Sequence, residues 1–309
     1  MRLAIPDLVS NSYFPAVAAR TLGCFADEGL ELEVVHVSPV DACARALAEG
    51  SVEFIGASAH VPLLAFTDWA GAKLVCAQSQ GMYWFLVMRA DLAVERGDLA
   101  ALAGMRIAAV PFVGAALARV FAAAGIDPQA AGIEIFVPSD ALGPGVNFGV
   151  AAARALEERR IDGFFANGMG AALAAARGIG RIVLDVRRGD GPRACFNFTQ
   201  PAIATTDALI ARAPELVAKV VRAIARTHAM LKRDAALAVV AAKGKFPPAE
   251  SELIEALVRL DAPYYDQRLD PDFVSDMCQY AHQTGLLRDP RVPYADVVAT
   301  RFERDWNQL

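Results

Sequence analysis

At 309 residues, 55% of them hydrophobic and 21% charged, the chain is long enough for two domains with a sizeable core in each. A net charge of −5, without any Lys/Arg cluster interleaved with aromatics, argues against a nucleic-acid partner. No apolar run reaches the roughly 18–20 residues of a membrane span, and the alanine-rich stretches 151–156 and 171–177 are short and bounded by charge.

The first sixty residues alternate short apolar strands with helix starts. A strand over 3–5 leads into Ser10, Asn11, Ser12, Tyr13, Phe14 and Pro15, then a helix ending near Gly29. A strand over 32–37 leads into Ser38-Pro39-Val40-Asp41 and a helix stopped by Gly50. A third over 52–56 leads into Ser58, His60 and another helix. Ser and Asn at these junctions can cap helices, whose free N–H groups face whatever lies beyond the strand ends. In an open parallel sheet that is where ligands bind, and a small polar or anionic molecule suits it best.

Strands are expected over 73–78 and 84–88, followed by a charged crossover from Arg89 to Gly104. A second α/β unit opens with a strand over 106–110 and a helix closing at Gly125. Strands over 133–137, 162–166 and 181–186 alternate with helices that start at Asn147 and after Asn167. The turn-dense segment 187–192 precedes an extended stretch, 195–205, placed to cross back. From Pro214 the period is helical, with helices expected over 214–232, 249–260, 271–285 and 294–306. A chain that leaves one α/β domain and returns to it builds two lobes joined by two hinge strands, with a cleft and hinge closure as the expected consequence.

Several phrases, in order, resemble the type II periplasmic solute-binding proteins, in the branch that binds sulfonates, nitrate or the thiamine pyrimidine. They are Tyr13 to Ala19 followed by Gly23-Cys24-Phe25-Ala26-Asp27-Glu28-Gly29-Leu30, then Ala46-Leu47-Ala48-Glu49-Gly50-Ser51-Val52-Glu53-Phe54. The stretch from Gly104 to Pro111 resembles the opening of that family's second lobe, and Ala208 to Val217 the helix after its return hinge. The resemblance implies a two-lobed α/β fold, each lobe a sheet flanked by helices, with a helical C-terminal tail. Lobe one is expected over 1–88 plus 200–309 and lobe two over 89–199.

It also implies ligand contacts from loops at the carboxyl ends of strands. In lobe one these are Ser10, Asn11, Ser12, Tyr13, Phe14, Ser38, Asp41, Ser58, His60, Gln78, Gln80, Tyr83 and Trp84. In lobe two they are Phe112, Val113, Gly114, Asn147 and the Asn167-Gly168-Met169 turn. Each has a plainer reading beside it. Ser38 with Asp41 forms a capping box with Pro39 at the first helical position, and Asn11 and Ser12 can cap likewise. His60, with its pKa pushed down by a helix N-terminus, is a neutral partner for ligand, a base, or a packed side chain. Tyr83 or Trp84 is expected to wall the cleft, with Phe112 opposing from lobe two and Gly114 permitting close backbone approach. Arg187, Arg188 and Arg193 read as a solvated turn.

The motifs G-x-S-x-G, H-E-x-x-H, G-x-x-x-x-G-K-[ST] and a post-strand G-x-G-x-x-G do not occur, and the five cysteines are odd in number and widely spaced. No cofactor, metal or catalytic residue is therefore assigned. The leading expectation is a solute-binding protein closing on a sulfonate, pyrimidine or aromatic acid, with an ABC importer permease as partner. The alternative is a cytoplasmic enzyme on the same fold, such as an aromatic-acid decarboxylase using His60 with Asp7 or Asp41, or a ligand sensor. The family resemblance implies the periplasm; the lack of a signal peptide implies the cytoplasm if Met1 is the native start.

Overall fold

The computed structural model describes residues 1–7, 11–141, 143, 146–246 and 248–307. The chain divides into two compact units, residues 1–81 with 197–309 and residues 82–196. It therefore leaves the first unit once and returns to it once. Residues 82–88 fall in the second unit rather than in lobe one, because the strand they lead into pairs only with strands of that unit.

The first unit holds β1 (Arg2–Ile5), β2 (Glu33–His36), β3 (Phe54–Ser58) and β4 (Ala72–Ala77), and the second β5 (Phe85–Arg89), β6 (Arg106–Ala108), β7 (Glu134–Phe136), β8 (Gly163–Ala166) and β9 (Gly180–Leu184). After the return, β10 (Pro201–Thr206) joins the first unit. The two sheets have the orders β2-β1-β3-β10-β4 and β7-β6-β8-β5-β9. β1 is parallel to β2 and β3, while β10 runs antiparallel between β3 and β4. The second sheet repeats this: β6 is parallel to β7 and β8, and β5 runs antiparallel between β8 and β9. In each unit the reversed strand is the one that follows the crossing from the other unit. Central strands β3 and β8 are buried throughout, as a strand covered on both faces must be, whereas the edge strand β2 is not.

The helices are α1 (Phe14–Thr21), α2 (Cys24–Asp27), α3 (Val40–Ala48), α4 (Pro111–Ala123), α5 (Phe148–Glu157), α6 (Gly168–Ala176), α7 (Asp207–Arg212), α8 (Pro214–Arg233), α9 (Leu237–Ala242), α10 (Pro248–Asp261), α11 (Pro271–Gln283) and α12 (Tyr294–Val297). Three differ from expectation. The helix expected to run to Gly29 is broken by Gly23, whose φ of +84° ends α1 and restarts the chain as α2. No α-helix follows β3; two 3₁₀ turns, Val61–Leu64 and Thr67–Trp69, do, because Ala65 and Phe66 leave helical backbone at φ −130° and −120°. The helix expected over 294–306 stops at Val297, since Val298 is extended and bridges Leu74 at the end of the first sheet.

All five cysteines are buried with free thiols, and burial pushes Cys43 up to about 12. In the second unit α5 and α6 touch backbone to backbone: a Cβ on Gly170 would stand 2.8 Å from the Gly149 carbonyl oxygen and 2.9 Å from its Cα. Backbone on backbone cannot be relieved by a rotamer change. Gly170→Ala is thus expected to destabilise the protein by about 1–3 kcal/mol in urea denaturation, the usual cost of overpacking. An unchanged midpoint would show that the two helices have room to separate.

Candidate functional site

Because β1, β3 and β4 share one direction and β10 the other, the carboxyl ends of the first three and the start of β10 meet at one end of the first sheet. Pro201 pairs with Ser58 and Ala202 with Ala77. That register gathers polar residues from distant parts of the sequence. Ser12, Ser58, His60, Gln78, Ser79, Thr199 and Gln200 are all buried there.

Gln78, just past β4, is held at three points. Its backbone N–H donates to the Pro201 carbonyl (2.7 Å), its own carbonyl accepts from His228 Nε2 (2.8 Å), and its side-chain Oε1 accepts from the Ala16 N–H (3.2 Å). Ala16 belongs to the first turn of α1, whose N–H groups have no partner within the helix. Gln78 therefore serves as a side-chain acceptor at that helix end. The other half of its amide, Nε2, is buried with no hydrogen-bond partner among the described residues. Gly56 leaves the space it needs, since a Cβ there would stand 3.0 Å from Nε2. Gln200 repeats the arrangement: its Oε1 accepts from the Gly81 N–H at 3.4 Å, and its buried Nε2 has no partner among the described residues. Each unmet buried donor costs about 1–3 kcal/mol.

His60 lies beside Thr199, Nδ1 to Oγ1 at 2.9 Å, and edge-on to Tyr280 at 5.2 Å between ring centroids. Tyr280 in turn stacks on Phe198 at 4.9 Å. Burial takes the His60 pKa down to about 3, so the imidazole is neutral. The cause is desolvation, not the helix N-terminus expected from the sequence, for only a four-residue 3₁₀ turn follows it. His228 is likewise lowered to about 4 by burial, with its ring stacked on Tyr265.

The remaining expected residues of this unit separate into groups. Ser10 lies outside the described residues, and Asn11 opens the 3₁₀ turn Asn11–Tyr13 that precedes α1. Ser12 and Tyr13 are buried in that turn. Ser38 is exposed and Asp41 is ion-paired with Arg45, so neither joins the buried cluster. They form no capping box either, since Pro39 precedes α3 and no side chain caps it. Gln80 donates through Nε2 to the carbonyls of Asp266 (2.9 Å) and Arg268 (2.8 Å), which ties it to a neighbouring loop.

In the second unit the corresponding sheet end carries Trp84, Phe112, Asn147 and Asn167. Trp84 and Phe112 were expected to face each other from opposite lobes. Both belong to this unit, and their rings meet edge-on at 6.1 Å between centroids, the half-buried Phe112 against Trp84, which lies buried with Phe165 at 6.2 Å and Tyr83 at 5.1 Å. Gly114 does not open its backbone to a ligand; a Cβ there would meet Ile135 Cγ2 at 3.3 Å, so its small size lets α4 pack on β7. Asn147 caps α5, its Oδ1 accepting from the Val150 N–H at 3.0 Å. Asn167 precedes α6 half-buried and makes no side-chain cap bond to it. Arg187 is not in a solvated turn. Its side chain is buried, with the guanidinium 4.9 Å over the Phe85 ring and Nε 3.5 Å from Asp185. Arg188 and Arg193 are exposed as expected.

Sequence reasoning missed Thr199 and Gln200, whose only signal is a Thr-Gln pair directly before an apolar run. Among the described residues no group of three or more His, Cys, Asp or Glu side chains could hold a metal, and no helix is long and apolar enough to cross a membrane.

The family model described as NMT1/THI5 like matches residues 10–235. Among solved structures, the alkanesulfonate-binding protein SsuA of Xanthomonas axonopodis pv. citri, bound to MOPS, superposes with a TM-score of 0.69 at 18% identity, covering 96% of this chain and 97% of that one. The periplasmic nitrate-binding protein NrtA of Synechocystis PCC 6803 gives 0.68 at 14% identity over 98% and 87%. The desulfurization enzyme DSZB gives 0.66 at 16% identity over 99% of both chains. A comparison with curated proteins finds no match. At these identities the likeness establishes the two-sheet α/β fold of periplasmic binding proteins.

The two buried histidines make stability depend on pH with a definite sign. Their folded pKa values lie below the unfolded value of about 6.5, so the unfolded chain binds more protons between about 3 and 6.5. Stability is complete above that range and falls as pH drops through it. Between pH 7.5 and 5, His60→Gln is expected to lose about 2 kcal/mol less than the unaltered protein in urea titrations. Parallel losses in the two proteins would show that His60 is charged in the folded state.

Proposed function

The chain belongs to the NMT1/THI5-like family, and we propose that it works as the solute-binding component of an ABC importer. The single observation that carries this is the polar cluster at one end of the first sheet. It is buried, contributed by four separate segments of sequence, and composed of neutral hydroxyl, amide and imidazole groups. A fold that only needed a core would fill such a place with hydrocarbon, because each buried polar group must otherwise be satisfied. A small ligand bearing polar atoms supplies the acceptors that the side-chain NH₂ groups of Gln78 and Gln200 lack among the described residues.

The ligand class is a sulfonate, a pyrimidine or an aromatic acid. The ligands for which similar proteins are named, alkanesulfonate and nitrate, belong to the same range of small oxygen-rich anions. Neutral donors can hold an anion without a countercharge, provided several converge on it. Ser12, Tyr13 and His60 are the contacts proposed from the first unit. His60 acts here as a neutral hydrogen-bonding group, since burial removes its proton throughout the physiological range. The family setting and this chemistry favour transport over catalysis, with the periplasm as the compartment and a permease as partner.

Thermal-shift measurements against short sulfonates, nitrate, pyrimidines and aromatic carboxylates test the reading. A ligand at a hundred times its Kd is expected to stabilise the folded chain by about 2.7 kcal/mol, a rise of a few degrees in Tm. A panel that leaves Tm unmoved at millimolar concentration would remove the solute-binding reading.

A further inference from the structure

Two features of the buried cluster select the polarity of the ligand, and they rest on the solute-binding reading above. Gln78 and Gln200 sit just beyond β4 and just before β10, and both are fully buried. In each, a backbone N–H points at the side-chain carbonyl: Ala16 N–H at Gln78 Oε1 (3.2 Å) and Gly81 N–H at Gln200 Oε1 (3.4 Å). A flipped amide would set N–H against N–H, so the orientation is enforced by the main chain. The consequence is that both NH₂ groups turn away from these anchors, and neither finds an acceptor among the described residues.

We propose that Gln78 and Gln200 are specificity-determining residues that present fixed donors, so that this protein selects ligands whose buried end is a hydrogen-bond acceptor. Sulfonate, nitrate, carboxylate, carbonyl and ring nitrogen satisfy that requirement. Ammonium, amidine and other donor-only ends do not, because they would leave the amide donors unmet and add donors of their own. Selection of this kind is strong: a site built to pair a polar group rejects analogues lacking it far better than an apolar pocket rejects a change of size. Gly56 belongs to the device, since any side chain there would crowd Gln78 Nε2.

Calorimetric titration of the whole chain with benzenesulfonate and benzylamine tests this, since the two share an apolar body and differ at the polar end. The unaltered protein is expected to bind the sulfonate at least tenfold more tightly. Gln200→Met and Gln78→Met remove a donor at constant length and are expected to lower sulfonate affinity at least tenfold while leaving the amine within twofold. Gln78→Glu keeps the acceptor for the Ala16 N–H, so the fold is retained if the methionine variant fails. Its sulfonate affinity is expected to fall at least tenfold as well, since the carboxyl removes the amide donor that faces away from the Ala16 N–H. Equal or tighter binding of the amine, or variants that keep the original preference, would overturn the donor rule and leave solute binding standing. Failure of both probes and of every sulfonate, nitrate, pyrimidine and carboxylate in the thermal-shift panel would overturn solute binding itself.

Discussion

The insertion of β10 between β3 and β4 is the constraint on which the first unit turns. A strand that enters in reverse among parallel neighbours begins where they end. Its first residues and the two preceding it are therefore laid beside the turns that follow β3 and β4. Ser58, His60, Gln78, Thr199 and Gln200 become neighbours for that reason alone, although up to 142 positions separate them along the chain, from Ser58 to Gln200. Remove the reversed strand and the sheet end would be a set of separate turns open to water.

The same device appears in the second unit, with β5 in the place of β10. There the residues delivered are aromatic, and Trp84, Phe112 and Phe165 make a packed group where the first unit has amides and hydroxyls. The two halves thus share a strand order without sharing the chemistry at the strand ends. That difference is expected if topology is fixed by sheet packing while the turn residues are free to answer to a ligand.

The buried polar groups of the first unit differ in how fully the fold satisfies them. His228, Thr227 and Gln267 are buried or half-buried polar groups too, yet their hydrogen bonds close within the protein. Gln78 and Gln200 are different, each half satisfied and half not. A main chain that fixes one side of an amide makes the other side a directed donor, at a cost the folded chain carries.

Much of the architecture was readable from local pattern. The ten strands among the described residues fall where apolar runs lie between turn residues, whereas the charged segment 89–104, read as the first crossover, lies beyond the point near residue 82 where the chain enters the second unit. The helix stops at Gly50 and Gly125 follow from their left-handed φ, which sequence alone suggests. Ser38 and Asp41, read as a site or a capping box, could not be judged from spacing, because the start of α3 and the exposure of both depend on an edge strand with no covering neighbour. Trp84 and Phe112 could not be assigned to one unit, nor Arg187 to the interior, without knowing which strands pair. Gln200 carried no recognisable motif at all. Local propensity and period act over a few residues and so were determined by the sequence itself; strand order and burial depend on contacts between segments more than a hundred residues apart, and only the folded chain decides them.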